Sequence, residues 1–170
     1  MEKLIVVLAM HGVPPNDLPQ REIAEYFSLH SQMEHAPTGS QPASEQRYRE
    51  LDTKVRTWTR TEANDPYFAA SQQIAVALST TTGYQVIVGF NEFCNPDLDE
   101  AIDQAVAQGA EKIVVITPMM TSGGEHSEVD IPAAIQRAEA LHPGIPIHYA
   151  WPFQVSEVAQ FLAANIARFV

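Results

Sequence analysis

Two histidines and a glutamate fall at the ends of apolar runs, where they could meet. His11 follows "KLIVVLAM" (3–10), Glu92 follows "YQVIVGF" (84–90), and His126 follows "KIVVITPM" (112–119) within the glycine-bearing stretch "TSGGEHSEVDIP". Two imidazoles and a carboxylate form a borderline donor set suited to divalent cobalt, nickel, iron or zinc. The same groups move protons near neutral pH. Metal insertion into a tetrapyrrole needs both chemistries, because the ion must be held as it loses water and two pyrrole protons must leave. His11, Glu92 and His126 are therefore the candidate catalytic and metal-holding residues. Plainer readings stand beside this one: His11 as a capping or core histidine, and Glu92 as a solvated loop acid.

Around them lie groups that could hold a flat ligand. Met10, Gly12, Met119, Met120, Gly123 and Gly124 flank the histidines, and Trp151 and Phe153 follow the last apolar run. Aromatic faces suit π ligands, although both rings could equally be core. "SGGEH" could form a backbone anion nest, but it has no Lys or Arg, and Glu125 opposes a phosphate. Neither GxGxxG nor a Walker lysine is present, so a phosphate-ester or nucleotide-binding protein is the weakest reading. His30 and His35 flank Met33 in "HSQMEH", where a solvated helix end is favoured over a metal contact. His142 should meet the last carbonyls of a helix, His148 should pack within a strand, and Cys94 should be a buried small apolar residue.

These residues need a frame. Four near-continuous Val/Ile runs (3–10, 84–90, 112–119 and 145–150) imply parallel strands buried on both faces. Amphipathic segments between them imply crossover helices. Residues 66–82, ending at Gly83, form the helix before the second strand. Asn95 with Pro96 should cap the next, whose stripe is Leu98, Ile102, Ala105 and Val106, with Gly109 ending it. Asp130 with Pro132 should open the following one. Ser156 should cap the last, with Val158, Phe161, Leu162 and Ile166 inward. The expectation is an α/β fold: an open parallel four-stranded sheet, order 2-1-3-4, with helices on both faces. One domain over 1–170 carries a helical insertion at about 13–65. There "QREIAEYFSLHSQ" and "SEQRYRELDTKVRTWTRTE" are helical and "HAPTGSQPAS" is a linker. In such sheets ligands bind beyond the strand carboxyl ends, where His11, Glu92 and His126 would sit.

Composition narrows the partners. The net charge of −11 opposes nucleic acid and anionic membranes. No run reaches the roughly 18 apolar residues of a span, no signal peptide is evident, and a single cysteine permits no intrachain disulfide. A soluble, cytoplasmic protein is expected.

"HG" after the first strand, "GFNEFCNPDLDEAI" and "ITPMMTSGGEHSEVDIPAAI" together resemble the class II chelatases, in particular the short sirohydrochlorin cobaltochelatases of CbiX type. "HGVPPND" is also similar to the opening of a protoporphyrin ferrochelatase. The resemblance covers residues 1–12 and about 66–170. It implies ATP-independent insertion of Co²⁺ or Fe²⁺ into a tetrapyrrole such as sirohydrochlorin. His11 and His126 would bind the metal and take pyrrole protons, and Glu92 would act as acid/base or third metal contact. It also implies a homodimer. The divalent metal (Co²⁺, Fe²⁺ or Ni²⁺) is a substrate, and no prosthetic group is implied. Activity should fall as the histidines protonate. The rival is a non-catalytic metal or tetrapyrrole carrier on the same scaffold. Six of the ten Lys and Arg (Arg21, Arg47, Arg49, Lys54, Arg56 and Arg60) lie in the insertion. They could form a basic lid over a polycarboxylate substrate, or only pair with Glu45, Glu50, Asp52 and Glu62.

Overall fold

The computed structural model describes residues 2–35 and 42–170, with the backbone alone at 34, 35 and 42. The linker expected around 36–41 and the side chain of His35 lie outside the described residues. Four strands, β1 (Leu4–Met10), β2 (Gln85–Phe90), β3 (Lys112–Ile116) and β4 (Ile147–Tyr149), form one parallel sheet in the order β2-β1-β3-β4. β1 is central, pairing Met10 with Phe90 on one side and Leu8 with Ile116 on the other.

Six α-helices accompany the strands: α1 (Gln20–His35), α2 (Pro42–Arg56), α3 (Pro66–Thr82), α4 (Leu98–Ala107), α5 (Ile131–Leu141) and α6 (Val155–Ile166). Alternation along the strands divides the core. Ile5, Val7, Ala9, Ile113 and Val115 meet Leu98, Ile102 and Ala105 of α4 and Ile131, Ala134 and Ala138 of α5. Leu8, Met10, Val88 and Phe90 belong to a second cluster with Ala75 of α3, flanked by Tyr67 and Phe68. Successive side chains of a strand point to opposite faces, so both faces of the sheet are covered and the near-continuous Val/Ile runs follow.

Local chemistry moves some boundaries. α3 runs as expected from Asp65, whose side chain accepts from the Phe68 amide, to Gly83 at φ 75°. The cap of α4 is not Asn95 but Asp97. Its carboxylate accepts from the Glu100 amide while the Glu100 side chain reaches back to the Asp97 amide. That reciprocal pair satisfies two orphan donors and outcompetes an Asn-Pro start. α6 begins after Gln154 with no side-chain cap, so Ser156 does not cap it. Its expected inward stripe is also wrong: Phe161, Leu162 and Ile166 are 60%, 52% and 62% exposed. Both sheet faces are already occupied by α3, α4 and α5, and a three-residue β4 offers α6 little to cover. The second inserted helix stops at Arg56 rather than continuing to 62. His148 is exposed on the short edge strand rather than packed. The side chain of His142 meets Asp103 (2.7 Å) instead of helix carbonyls.

The inserted helices have their own core. Leu18, Tyr26, Leu51 and Val55 are buried together with Phe93, which arrives from the loop after β2.

Candidate metal centre

The β1 and β2 ladder continues past the strand ends. The Asn91 amide donates to the Met10 carbonyl (2.8 Å) and the Glu92 amide to the His11 carbonyl (2.9 Å), so His11 and Glu92 leave the sheet side by side. The Asn91 side chain also donates to the Met10 carbonyl (2.9 Å). Gly12 makes this approach possible: it sits at φ 98°, and a Cβ there would lie 1.9 Å from the Glu92 carbonyl oxygen. Gly12 is thus buried backbone that brings the two loops together, not an exposed ligand contact.

From β3, the chain turns at Gly123 (φ 88°), whose N–H donates to the Glu128 carboxylate (2.7 Å). The nest amide is therefore already satisfied by the chain's own acid. A single π-helical turn, His126–Asp130, then leads into α5. The side chain of Asp130 caps no helix. It accepts from His126 Nδ1 at 2.6 Å, four residues back. A helical turn places such residues on one face, which makes this pair.

The result is one cluster. Single donor atoms of His11, Glu92 and His126 lie within 4.8 Å of one another. His11 Nε2 is 3.9 Å from Glu92 Oε2, and the His11 and His126 rings meet edge-on with centroids 4.7 Å apart. His11 Nδ1 lies 2.6 Å from the Gly12 carbonyl. A carbonyl only accepts, as does the ionised Asp130 carboxylate, so in both neutral imidazoles the Nδ1 carries the proton and Nε2 keeps its lone pair. This is the orientation in which a histidine binds a metal, with its outer nitrogen held by an oxygen. The His11 backbone is held in turn by its N–H donating to the Tyr67 hydroxyl (3.2 Å).

An open depression of ≈ 430 Å³ beside the cluster is lined by Met119, Met120, Gly124, Glu125 and His126. Met10 is not part of that wall; at 4% exposure it belongs to the core beneath. Trp151 stacks on Tyr149 (5.8 Å) and its indole N–H donates to the Met119 carbonyl (3.2 Å), so it braces the loop that carries Met119. Phe153 is half-buried and, like Trp151, is not among the lining residues. Cys94 is fully buried, and burial pushes its thiol up to about 11.

Two residues of the insertion reach this region. His30 is not a solvated helix end: its Nε2 is 3.9 Å from Glu92 Oε1. Arg60 is 5% exposed and is a clip rather than part of a lid. Its guanidinium pairs with Asp65 and donates to the carbonyls of Val13, Val55 and Phe93. It thereby joins the exits of β1 and β2 to the end of α2 and the cap of α3. Four other cations of the insertion are also paired: Arg47 with Glu25 (2.8 Å), Lys54 with Glu22 (2.5 Å), Arg56 with Asp52 (2.9 Å) and Arg49 with Glu45 (3.7 Å). The first two pairs tie α2 to α1 and the last two lie within α2, as the pairing alternative to a basic lid required. The partners include Glu22, Glu25 and Asp65, which local sequence did not suggest. Asp130 could have been found from its spacing to His126. His30 and Arg60 carry no such local signal, because their contacts are tertiary.

Among the described residues no helix is long and apolar enough to cross a membrane. A sirohydrochlorin cobaltochelatase of Priestia megaterium is 41% identical over 70 residues, 41% of this chain and 22% of that protein. One from Methanopyrus kandleri is 45% identical over 47 residues, 28% of this chain and 32% of that protein. The aligned segments thus span less than a third of those relatives' own length. The crystal structure of a CbiX protein of Marinobacter aquaeolei VT8 superposes with a TM-score of 0.55 over 97% of this chain and 94% of that one, at 17% identity, a likeness of fold. The profile of the CbiX family matches residues 63–168, a segment that contains Glu92 and His126. That match spans more than half of the chain, and the protein belongs to the CbiX family.

Proposed function

We propose that this chain inserts a divalent metal, Co²⁺ or Fe²⁺, into a tetrapyrrole such as sirohydrochlorin, without ATP. The observation that carries the reading is the convergence of His11, Glu92 and His126 donor atoms within 4.8 Å. In this reading the Nε2 atoms of His11 and His126 and a carboxylate oxygen of Glu92 hold the ion as it loses water. The macrocycle then takes the metal, and its two pyrrole protons pass to the vacated imidazole and carboxylate groups, then to solvent. Membership of the CbiX family and the similarity to named sirohydrochlorin cobaltochelatases support this substrate class. Met119 and Met120, with Gly124 beside them, would meet the macrocycle face, and Trp151, Phe153 and Gly123 would hold that wall in place. Gly12 and Met10 would act from below, through the loop and the core.

The same proposal includes a cytoplasmic location and a homodimer. α6 presents Phe161, Leu162 and Ile166 to solvent, and its one charged residue is Glu157. On a chain of net charge −11, an apolar face with so little charge brings two copies together against little repulsion. A second copy is its occupant, in a two-fold contact.

The test is an anaerobic absorbance assay with sirohydrochlorin and Co²⁺ or Fe²⁺, no ATP, beside the His126→Ala variant. Conversion faster than the uncatalysed control is expected, with at least a hundredfold loss in the variant. A shifted but static spectrum would instead identify a carrier, and full activity in His126→Ala would overturn the assignment of that residue.

A further inference from the structure

We propose that His30, on the inserted helix α1, is a positioning residue for Glu92 and sets how tightly the site takes a divalent cation. The proposal rests on the metal-holding reading of His11, Glu92 and His126. The family profile begins at residue 63, so His30 lies outside the segment it matches.

Glu92 has one carboxylate oxygen for each histidine. Oε2 faces His11 Nε2 and Oε1 faces His30 Nε2, both at 3.9 Å. Both gaps exceed a hydrogen bond, which ends near ~3.2 Å, so the carboxylate is held between the two imidazoles without being locked to either. With Oε1 drawn to His30, Oε2 is presented to the face where His11 and His126 converge. Without His30, the carboxylate is free to turn its pair of oxygens away from that face.

The His30 ring is built to do this. It lies against both Tyr26 (5.9 Å, 24°) and Tyr48 (5.9 Å, 30°), which stack on each other (5.6 Å), and Phe93 lies 6.0 Å away. Its Nδ1 is 3.0 Å from the Tyr48 hydroxyl. A hydroxyl that donates to Nδ1 leaves the proton on Nε2, the atom facing Glu92. The tyrosines are themselves fixed: Tyr26 is 1% exposed and donates to Asp52 (2.8 Å), which also holds Arg56. Burial pushes the pKa of both phenols up, so the Tyr48 hydroxyl keeps a proton to donate. At 21% side-chain exposure, His30 has an immobilised ring and one nitrogen aimed at a carboxylate that would hold metal. Residues that orient a ligating carboxylate typically change metal affinity by about 10–100-fold when removed.

The experiment is Co²⁺ titration of the full chain, followed by the visible absorbance of the bound ion. It uses wild type, His30→Phe, His30→Gln, Tyr48→Phe and His126→Ala. Phe keeps a flat ring in the stack and removes both nitrogens, while Gln restores a donor near Nε2. His30→Phe is expected to raise the Co²⁺ Kd by about tenfold or more and to alter the absorbance band, with His30→Gln recovering most of both. Tyr48→Phe removes only the hydroxyl at Nδ1 and should shift Kd in the same direction by a smaller factor. It decides the matter if His30→Phe does not fold. Unchanged Kd and band shape in the folded His30 and Tyr48 variants, with binding lost in His126→Ala, would overturn the role of His30 and leave the metal site standing. If wild type bound no Co²⁺, or His126→Ala bound it equally well, the metal-holding reading would fall and this inference with it.

Discussion

The α1–α2 segment and the C-terminal helix α6 both accompany the same sheet, and they are finished differently. The insertion closes on itself. Tyr26, Leu51, Val55 and Phe93 form its core, ion pairs tie α1 to α2, and Arg60 fastens it to the strand exits. α6 buries no residue and leaves a row of large apolar side chains in solvent. One region is complete within a single chain and reaches the metal centre. The other lacks a partner surface. The two segments therefore differ in what they bury: one packs a core within its own chain, and the other leaves an apolar face uncovered.

Three substitutions would break or sharpen this contrast. Arg60→Ala should have the largest effect. It removes one partner of a buried pair and leaves Asp65 uncompensated, which costs about 3–5 kcal/mol. Denaturant unfolding should show that loss, and metal insertion should fall with it, because the Val13 and Phe93 carbonyls flank His11 and Glu92. An Arg60→Ala protein of wild-type stability would mean that the insertion is not fastened as described. Leu162→Asp comes next. It should convert the proposed homodimer to a monomer in light scattering while leaving the monomer's unfolding within about 0.5 kcal/mol, as exposed positions allow. A dimer that survives this change would place the interface elsewhere. The smallest effect belongs to Arg47→Ala, on the exposed side of the insertion. Arg47 hydrogen-bonds Glu25 and holds its carboxyl below the usual range. A depressed carboxyl contributes stability that is fully present above its unfolded pKa and fades as pH falls through its folded one. The slight difference between variant and wild type should thus vanish in acid, which unfolding measured across a pH series would reveal.

How much of this was legible in sequence follows the same division. Strand runs of Val and Ile fixed the sheet and its order, and strand ends located His11, Glu92 and His126, because each signal is local. The apolar stripe of α6 was equally plain, but periodicity tells only that a face is to be buried, not against which chain. Asp130 does stand at the start of α5 with Pro132 behind it, but its side chain makes no cap hydrogen bond. Its spacing to His126 carried the other meaning. His30 and Arg60 meet Glu92 and the Phe93 carbonyl only through folding, since α1 and the residues following α2 must return to the strand exits first.

Phe93 gives the contrast a mechanical side. It is a non-glycine residue at φ 59°, a left-handed backbone that costs about 1–2 kcal/mol. The chain tolerates it because the ring is seated in the insertion's core and the Phe93 carbonyl is gripped by Arg60. Glu92 is its neighbour, so the acid stands on a sprung hinge whose tension is set some distance from the ion. Reshaping the aromatic seat under Phe93 would re-aim that acid with neither histidine altered. If Glu92 holds metal as proposed, the insertion would work as a tuning peg for metal preference, and two proteins with identical strand-borne ligands could differ in the ion they favour.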